Sequence, residues 1–126
     1  MNPLLGQLSA LVVLTVVAGA CSKSPSPAQQ ASELEAVFQK AVAAQPASNR
    51  DAVEQALAAI RAKDYVGAVV RLQAAKRNVE LSGEQRLELQ QAIRAVSAQL
   101  TARALHGDQS AVADLQAIEK AMNSVR

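Results

Sequence analysis

The residues of this chain that could do chemistry are a lone cysteine, a lone histidine and a few carboxylate pairs. Cys21 has no second thiol, so it closes no internal disulfide, and dithiol redox chemistry and thiolate zinc sites need partners that it lacks. Its setting marks it instead: in LVVLTVVAGACSKSPSPAQQ, Leu11 to Gln30, the thiol stands where an apolar run gives way to a Ser/Pro stretch, a place ill suited to burial. His106 would need a nucleophile and an orienting group in reach to act as a general base, and its neighbourhood in sequence offers neither. A polar residue near the end of a helix is an ordinary occupant there. Glu33 and Glu35 point apart on a helix, while Glu84 and Glu88 sit one turn apart beside Gln85 and Arg86, both patterns of a solvated face. The glycines are isolated, so no phosphate-cradling loop is present. The sequence therefore presents no catalytic residue, no metal-ligand set, no cofactor motif and no small-molecule substrate site. The expectation is a protein that is not an enzyme.

Charge narrows the partners. The net charge is +2 and the isoelectric point about 9.0, too small an excess for the dense basic face that nucleic acid requires. Arg71, Lys76, Arg77, Arg86, Arg94 and Arg103 are spread over two segments and read as a mixed solvated surface. A modest basic patch facing anionic lipid or peptidoglycan is the alternative. Tyr65, near a turn, reads as a packing residue.

The elements that position these residues are helices. The 126 residues suffice for one small domain, half of them hydrophobic but only 2% aromatic. Alanine supplies roughly a fifth of the chain, the composition of closely packed helices rather than sheets. Apolar residues recur at helical spacing in successive segments. The first carries Leu34, Val37, Phe38, Ala41 and Val42, with Ser32 and Glu35 as its capping box and Gln45-Pro46 as its stop. The second runs from about Ser48, its expected N-cap, to Ala62, with Val53, Leu57 and Ile60 on one face. Asp64 opens the third, whose stripe is Val69, Leu72, Ala75 and Val79, ending near Leu81. Ser82 and Gln85 form the capping box of the fourth, with Leu89, Ile93, Val96, Leu100 and Ala104 inward and Gly107 at the C′ position. Asp108 caps the fifth, with Val112, Leu115, Ile118, Met122 and Val125. Short loops between such helices imply antiparallel neighbours.

The N-terminal stretch adds an address. Leu8 to Val17 reads LSALVVLTVV, uncharged and the length of a signal-peptide h-region, short for a membrane span. Ala18-Gly19-Ala20 follow, small residues that suit a peptidase cleft, and then Cys21. This arrangement resembles the lipobox of bacterial lipoproteins, although Ala18 replaces the larger aliphatic residue of that family and Met1 to Gln7 carries no Lys or Arg. The resemblance implies acylation of the Cys21 thiol, cleavage of the preceding bond, and a membrane partner held through the acyl chains. Ser22, which is not Asp, implies the outer membrane. An uncleaved anchor and a soluble helix with a free thiol are the competing readings. The expected division is residues 1–20 as signal peptide, 21–31 as lipidated cysteine and tether, and 32–126 as helical domain.

Within the helical part, AAIRAKDYVGAVVRLQAAK resembles the middle of a tetratricopeptide repeat. Asp64 and Tyr65 fit its turn, Ala68, Leu72 and Ala75 its second helix, and Ala56 the small residue where the backbones approach. Lys63 stands where the family has a turn glycine, and Ala52 where it has a leading Trp. The expectation is an all-α fold of about five amphipathic helices, as an antiparallel bundle or a tetratricopeptide-like array. Its expected role is a lipid-anchored, non-enzymatic interaction or scaffold domain of the cell envelope that binds another envelope protein. The alternative is a self-associating structural lipoprotein.

Overall fold

The computed structural model describes residues 26–124; the signal segment 1–20, Cys21 and Val125 lie outside the described residues. Five helices follow in order: α1 (Pro27–Ala44), α2 (Ala47–Arg61), α3 (Tyr65–Lys76), α4 (Gly83–Leu105) and α5 (Gln109–Asn123). There is no strand among the described residues, so the all-α expectation holds.

Side-chain caps set most of the helix starts. Ser26 opens α1: its hydroxyl accepts the Gln29 N–H at 3.2 Å, the Gln29 side chain accepts the Ser26 N–H at 3.0 Å, and Pro27 follows at the first helical position. The capping box expected at Ser32 and Glu35 therefore stands six residues earlier, and the helix takes in residues 27–31 of the 21–31 segment expected to be lipidated cysteine and tether. The physical reason is that Ser26-Pro27 satisfies the orphan donors first, leaving Ser32 as an ordinary exposed residue of the helix. Ser82 and Gln85 form the second capping box on α4, at 3.2 and 2.8 Å. Asp64 accepts the Gly67 N–H at 2.9 Å, and a Cβ on Gly67 would collide with that same carboxylate. Asp108 accepts the N–H groups of Ser110 and Ala111 at 3.0 and 3.3 Å.

Two expectations about helix ends are corrected. The N-cap of α2 is Pro46, with no side-chain cap, and the Ser48 hydroxyl instead donates to Glu80 at 3.1 Å. The third helix stops at Lys76 rather than near Leu81, which leaves Val79 88% exposed. Asn78 accepts the Glu80 N–H at 3.0 Å through its side chain, and Arg86 donates to the carbonyls of Lys76 and Asn78 at 3.4 and 3.0 Å, closing the helix early.

The helices are antiparallel neighbours. Gln45 at the end of α1 meets Gln85 at the start of α4, while Gln99 near the end of α4 meets Gln30 near the start of α1. Arg61 at the end of α2 pairs with Glu35 in the middle of α1 at 2.7 Å. Contacts run α1 to α2, α2 to α3, α3 to α4 and α4 back to α1, which closes a four-helix ring, and α5 lies in the groove between α3 and α4. The core is built from Leu34 and Phe38 of α1, Val53 of α2, Val69 and Leu72 of α3, and Leu89, Val96 and Leu100 of α4. Ala41, Ala56, Ala68 and Ala92 are all 0% exposed, so alanine is the spacer that lets backbones close up where aromatic bulk is absent.

Candidate functional site

The residues that could do chemistry are dispersed. His106 is the exposed C-cap of α4. Glu35 is tied to Arg61, and Glu88 lies 3.8 Å from Lys40, so neither carboxylate pair converges on a common point. Glu33 and Glu84 face solvent. Among the described residues no group of three or more His, Cys, Asp or Glu is placed to hold a metal ion.

Four of the six basic residues serve local ends, while Arg77 and Arg94 are exposed. Arg71 donates to the Gly67 carbonyl at 3.2 Å, Lys76 bonds the Gln90 amide, and Arg86 caps α3. Arg103 stacks its guanidinium over the Tyr65 ring, 4.9 Å from the centroid, joining the end of α4 to the start of α3. Tyr65 is thus a half-buried packing residue, as expected. Near it, Asp108 is held below the usual carboxylate range, first by the Ser110 hydroxyl and then by the Ala111 N–H. Asp114 is pushed up, first by partial burial and then by the negative charges of Asp108 and Asp64.

At the opposite end lies a buried amide pair that periodicity alone does not reveal. Gln45 and Asn49 are 2% and 5% exposed. The Asn49 side chain donates to Gln45 Oε1 at 2.8 Å and to the Ala75 carbonyl at 3.3 Å, while Gln45 Nε2 donates to the Gln85 carbonyl at 3.3 Å. Two side chains thereby bind α1, α2, α3 and α4 together at one end of the ring. The signal in the sequence was Gln45 immediately before Pro46, with a second amide one turn into the next helix.

An open groove of about 390 Å³ with an apolar lining runs between α3, from its middle to its C-terminal end, and the C-terminal end of α5. Val69, Val70 and Ala74 form one wall and Ala121 and Met122 the other, with Gln73, Arg77 and Ser124 at the edge. Val70 is 46% exposed there. The groove exists because α3 carries a second apolar row, Val66, Val70 and Ala74, beside its buried row of Ala68, Leu72 and Ala75. Helix α5 covers only part of it. A smaller recess of about 180 Å³, lined by Leu34, Ile60, Lys63 and Gln99, opens at the Tyr65 end. Gln99 donates to the Gln30 carbonyl at 2.5 Å, and its buried Oε1 has no donor.

No protein-family model matches the chain, and no curated protein or solved structure matches it. No helix of the described residues is long and apolar enough to cross a membrane.

Proposed function

We propose that this chain is a lipid-anchored, non-enzymatic interaction domain of the bacterial cell envelope, tethered through Cys21 and docking an envelope protein in the groove between α3 and α5. The observation that carries the docking half is the groove itself: an open apolar trough with half-exposed Val70 on a small domain whose carboxylates and histidine, among the described residues, form no cluster. The anchoring half rests on the apolar run, Ala18-Gly19-Ala20 and Cys21. Two or three acyl chains, at about 0.8 kcal/mol per buried CH₂, hold stably where one does not. We read the α2–α3 hairpin, with Ala56 and Ala68 fully buried at the turn of Asp64 and Tyr65, as the tetratricopeptide-like element.

The early start of α1 gives this reading a geometry. Between Cys21 and Ser26 five residues of backbone reach at most about 18 Å at ~3.6 Å per residue. The domain would therefore sit close to the outer membrane on its periplasmic face, with the end formed by Ser26, Tyr65 and His106 nearest the lipid. The groove, which runs from the middle of α3 to the C-terminal ends of α3 and α5, would open farther from the lipid and towards a periplasmic partner. The test has two arms. Tagged palmitate should label the wild type and not Cys21→Ser. A photo-crosslinking amino acid at Val70 should trap one discrete adduct in cells, whereas the same group at exposed Gln55 of α2 should not. Equal labelling of both proteins refutes the anchor, and adduct yields at Val70 no higher than at Gln55 refute the groove.

A further inference from the structure

The outer face of α4 carries a row that the core does not use. Leu87, Gln91, Arg94, Ala98, Thr101 and Leu105 follow one another at intervals of four and three residues, the spacing of a coiled-coil seam, and all are exposed. Leu87 is 50% and Leu105 82% exposed. They lie about five turns apart on the same side of the helix. Single exposed leucines are ordinary; these two stand at opposite ends of one row.

From this register we infer that the outer face of α4 pairs with α4 of a second copy of this chain, antiparallel, about a two-fold axis near Val96. The row is self-complementary under that operation. Leu87 falls opposite Leu105 of the second copy, Gln91 opposite Thr101, and Arg94 opposite Ala98. The apolar ends meet each other. The Thr101 hydroxyl already donates to the Ser97 carbonyl at 2.7 Å, so its oxygen is left to accept from the Gln91 amide across the seam. Arg94, the one charged member of the row, meets a methyl group that leaves room for its stem. A parallel, in-register pair would instead stack Arg94 on Arg94 and lose both matches. Charge and size thus commit the face to the antiparallel arrangement.

The seam is about 27 Å long and one helix, about 10 Å, wide. That is short of the roughly 1,200 Å² of a stable interface, so the contact belongs to the transient class. It needs α4 alone and does not depend on the Cys21 anchor or on the groove between α3 and α5.

Disulfide trapping tests it. In the full-length chain carrying Cys21→Ser, Leu87→Cys and Leu105→Cys are made separately, mixed and oxidised. The antiparallel seam places residue 87 of one copy beside residue 105 of the other, while like positions are about 27 Å apart, far beyond the ~7 Å limit between Cα atoms of a disulfide. The mixed disulfide should exceed either like-with-like product by at least about tenfold, a difference of about 1.4 kcal/mol. Ala98→Arg should cut its yield severalfold by facing Arg94, and adding Arg94→Glu to the same chain should restore it. All these positions are exposed, so unchanged thermal melts will show that the monomer stays folded. Statistical product ratios, a predominance of like-with-like products, or no disulfide at all would each overturn the inference. Because the background lacks Cys21, none of these outcomes bears on the anchor, and palmitate labelling does not bear on the seam.

Discussion

Replacing Asn49 by leucine is the sharpest test of what holds the ring of helices in register. The side chain is 5% exposed and donates to Gln45 Oε1 at 2.8 Å and to the Ala75 carbonyl at 3.3 Å. Leucine has a similar shape, so the packing cost is small, but Gln45 Oε1 is left buried without a donor. That orphan costs about 1–3 kcal/mol, whereas a hydrogen bond lost from a group that keeps another partner costs about 0.5–1.5 kcal/mol. Ala75 is of the second kind, since its carbonyl still accepts the Asn78 N–H at 3.2 Å. The expected loss is about 2–3 kcal/mol, and at ~4–8 °C per kcal/mol for a domain of this size the melting temperature should fall by at least about 8 °C. Adding Gln45→Leu removes the orphan itself, because replacing both partners by apolar groups can be nearly neutral. The double variant should recover at least about half of the single loss, a coupling of the size seen between touching residues. Ser48→Ala, which loses only an exposed bond to Glu80, should shift stability by less than about 0.5 kcal/mol. Denaturant melts of these proteins and of the Gln45→Leu single variant decide the matter. An Asn49→Leu protein as stable as the wild type, or a double variant whose loss is the sum of the two single losses, would refute the reasoning.

Two further outcomes follow from local strain and charge. Lys63 holds φ 61°, with its N–H on the Ile60 carbonyl and the Asp64 N–H on the Ala59 carbonyl, the helix-ending turn that glycine usually occupies. Lys63→Gly should therefore raise stability by about 1 kcal/mol in denaturant melts, and a neutral or destabilising result would mean that the lysine side chain makes good the strain. Asp114 is raised above its usual value of 3.8, so its ionised form is penalised in the folded chain, and that penalty disappears as pH falls through the raised value. Asp108 is lowered, so its contribution has the opposite sign: it is present above 3.8 and lost only as pH falls through its still lower folded value. Asp114→Asn should melt above the wild type at pH 7 with a gap that closes on acidification, and a gap that is constant with pH would remove the charge argument.

The inward face of every helix was legible in the sequence to a useful degree, for a definite reason. Leu89, Ile93, Val96 and Leu100 repeat at helical spacing, and burial follows that spacing because each helix has one covered side. Side-chain caps were legible where one residue could reach its own helix start, as at Ser82, Asp64 and Asp108. They misled where two starts competed, since Ser26 and Ser32 both precede an apolar row and only Ser26 precedes a proline. Val79 failed differently. Its place in the row is correct, but Asn78 and Arg86 end the helix before it, and Arg86 reaches the turn only once α3 and α4 are adjacent.

Long-range pairing limits the remainder. Gln45 and Asn49 are unremarkable amides in sequence, and their burial exists only because α1, α2, α3 and α4 end at the same level. The groove has the same character: the Val66, Val70 and Ala74 row is readable on α3, but whether a neighbour covers it depends on where α5 lies. The outer row of α4 is the converse case. Only its terminal members are large and apolar, so a scan for hydrophobic periodicity passes over it, and exposure has to be known before Leu87 and Leu105 stand out. A helix that meets α1, α3 and α5 on its inner sides has one free face left. On that face, leucine at both ends and a single cation opposite alanine form the pattern of a surface that meets itself.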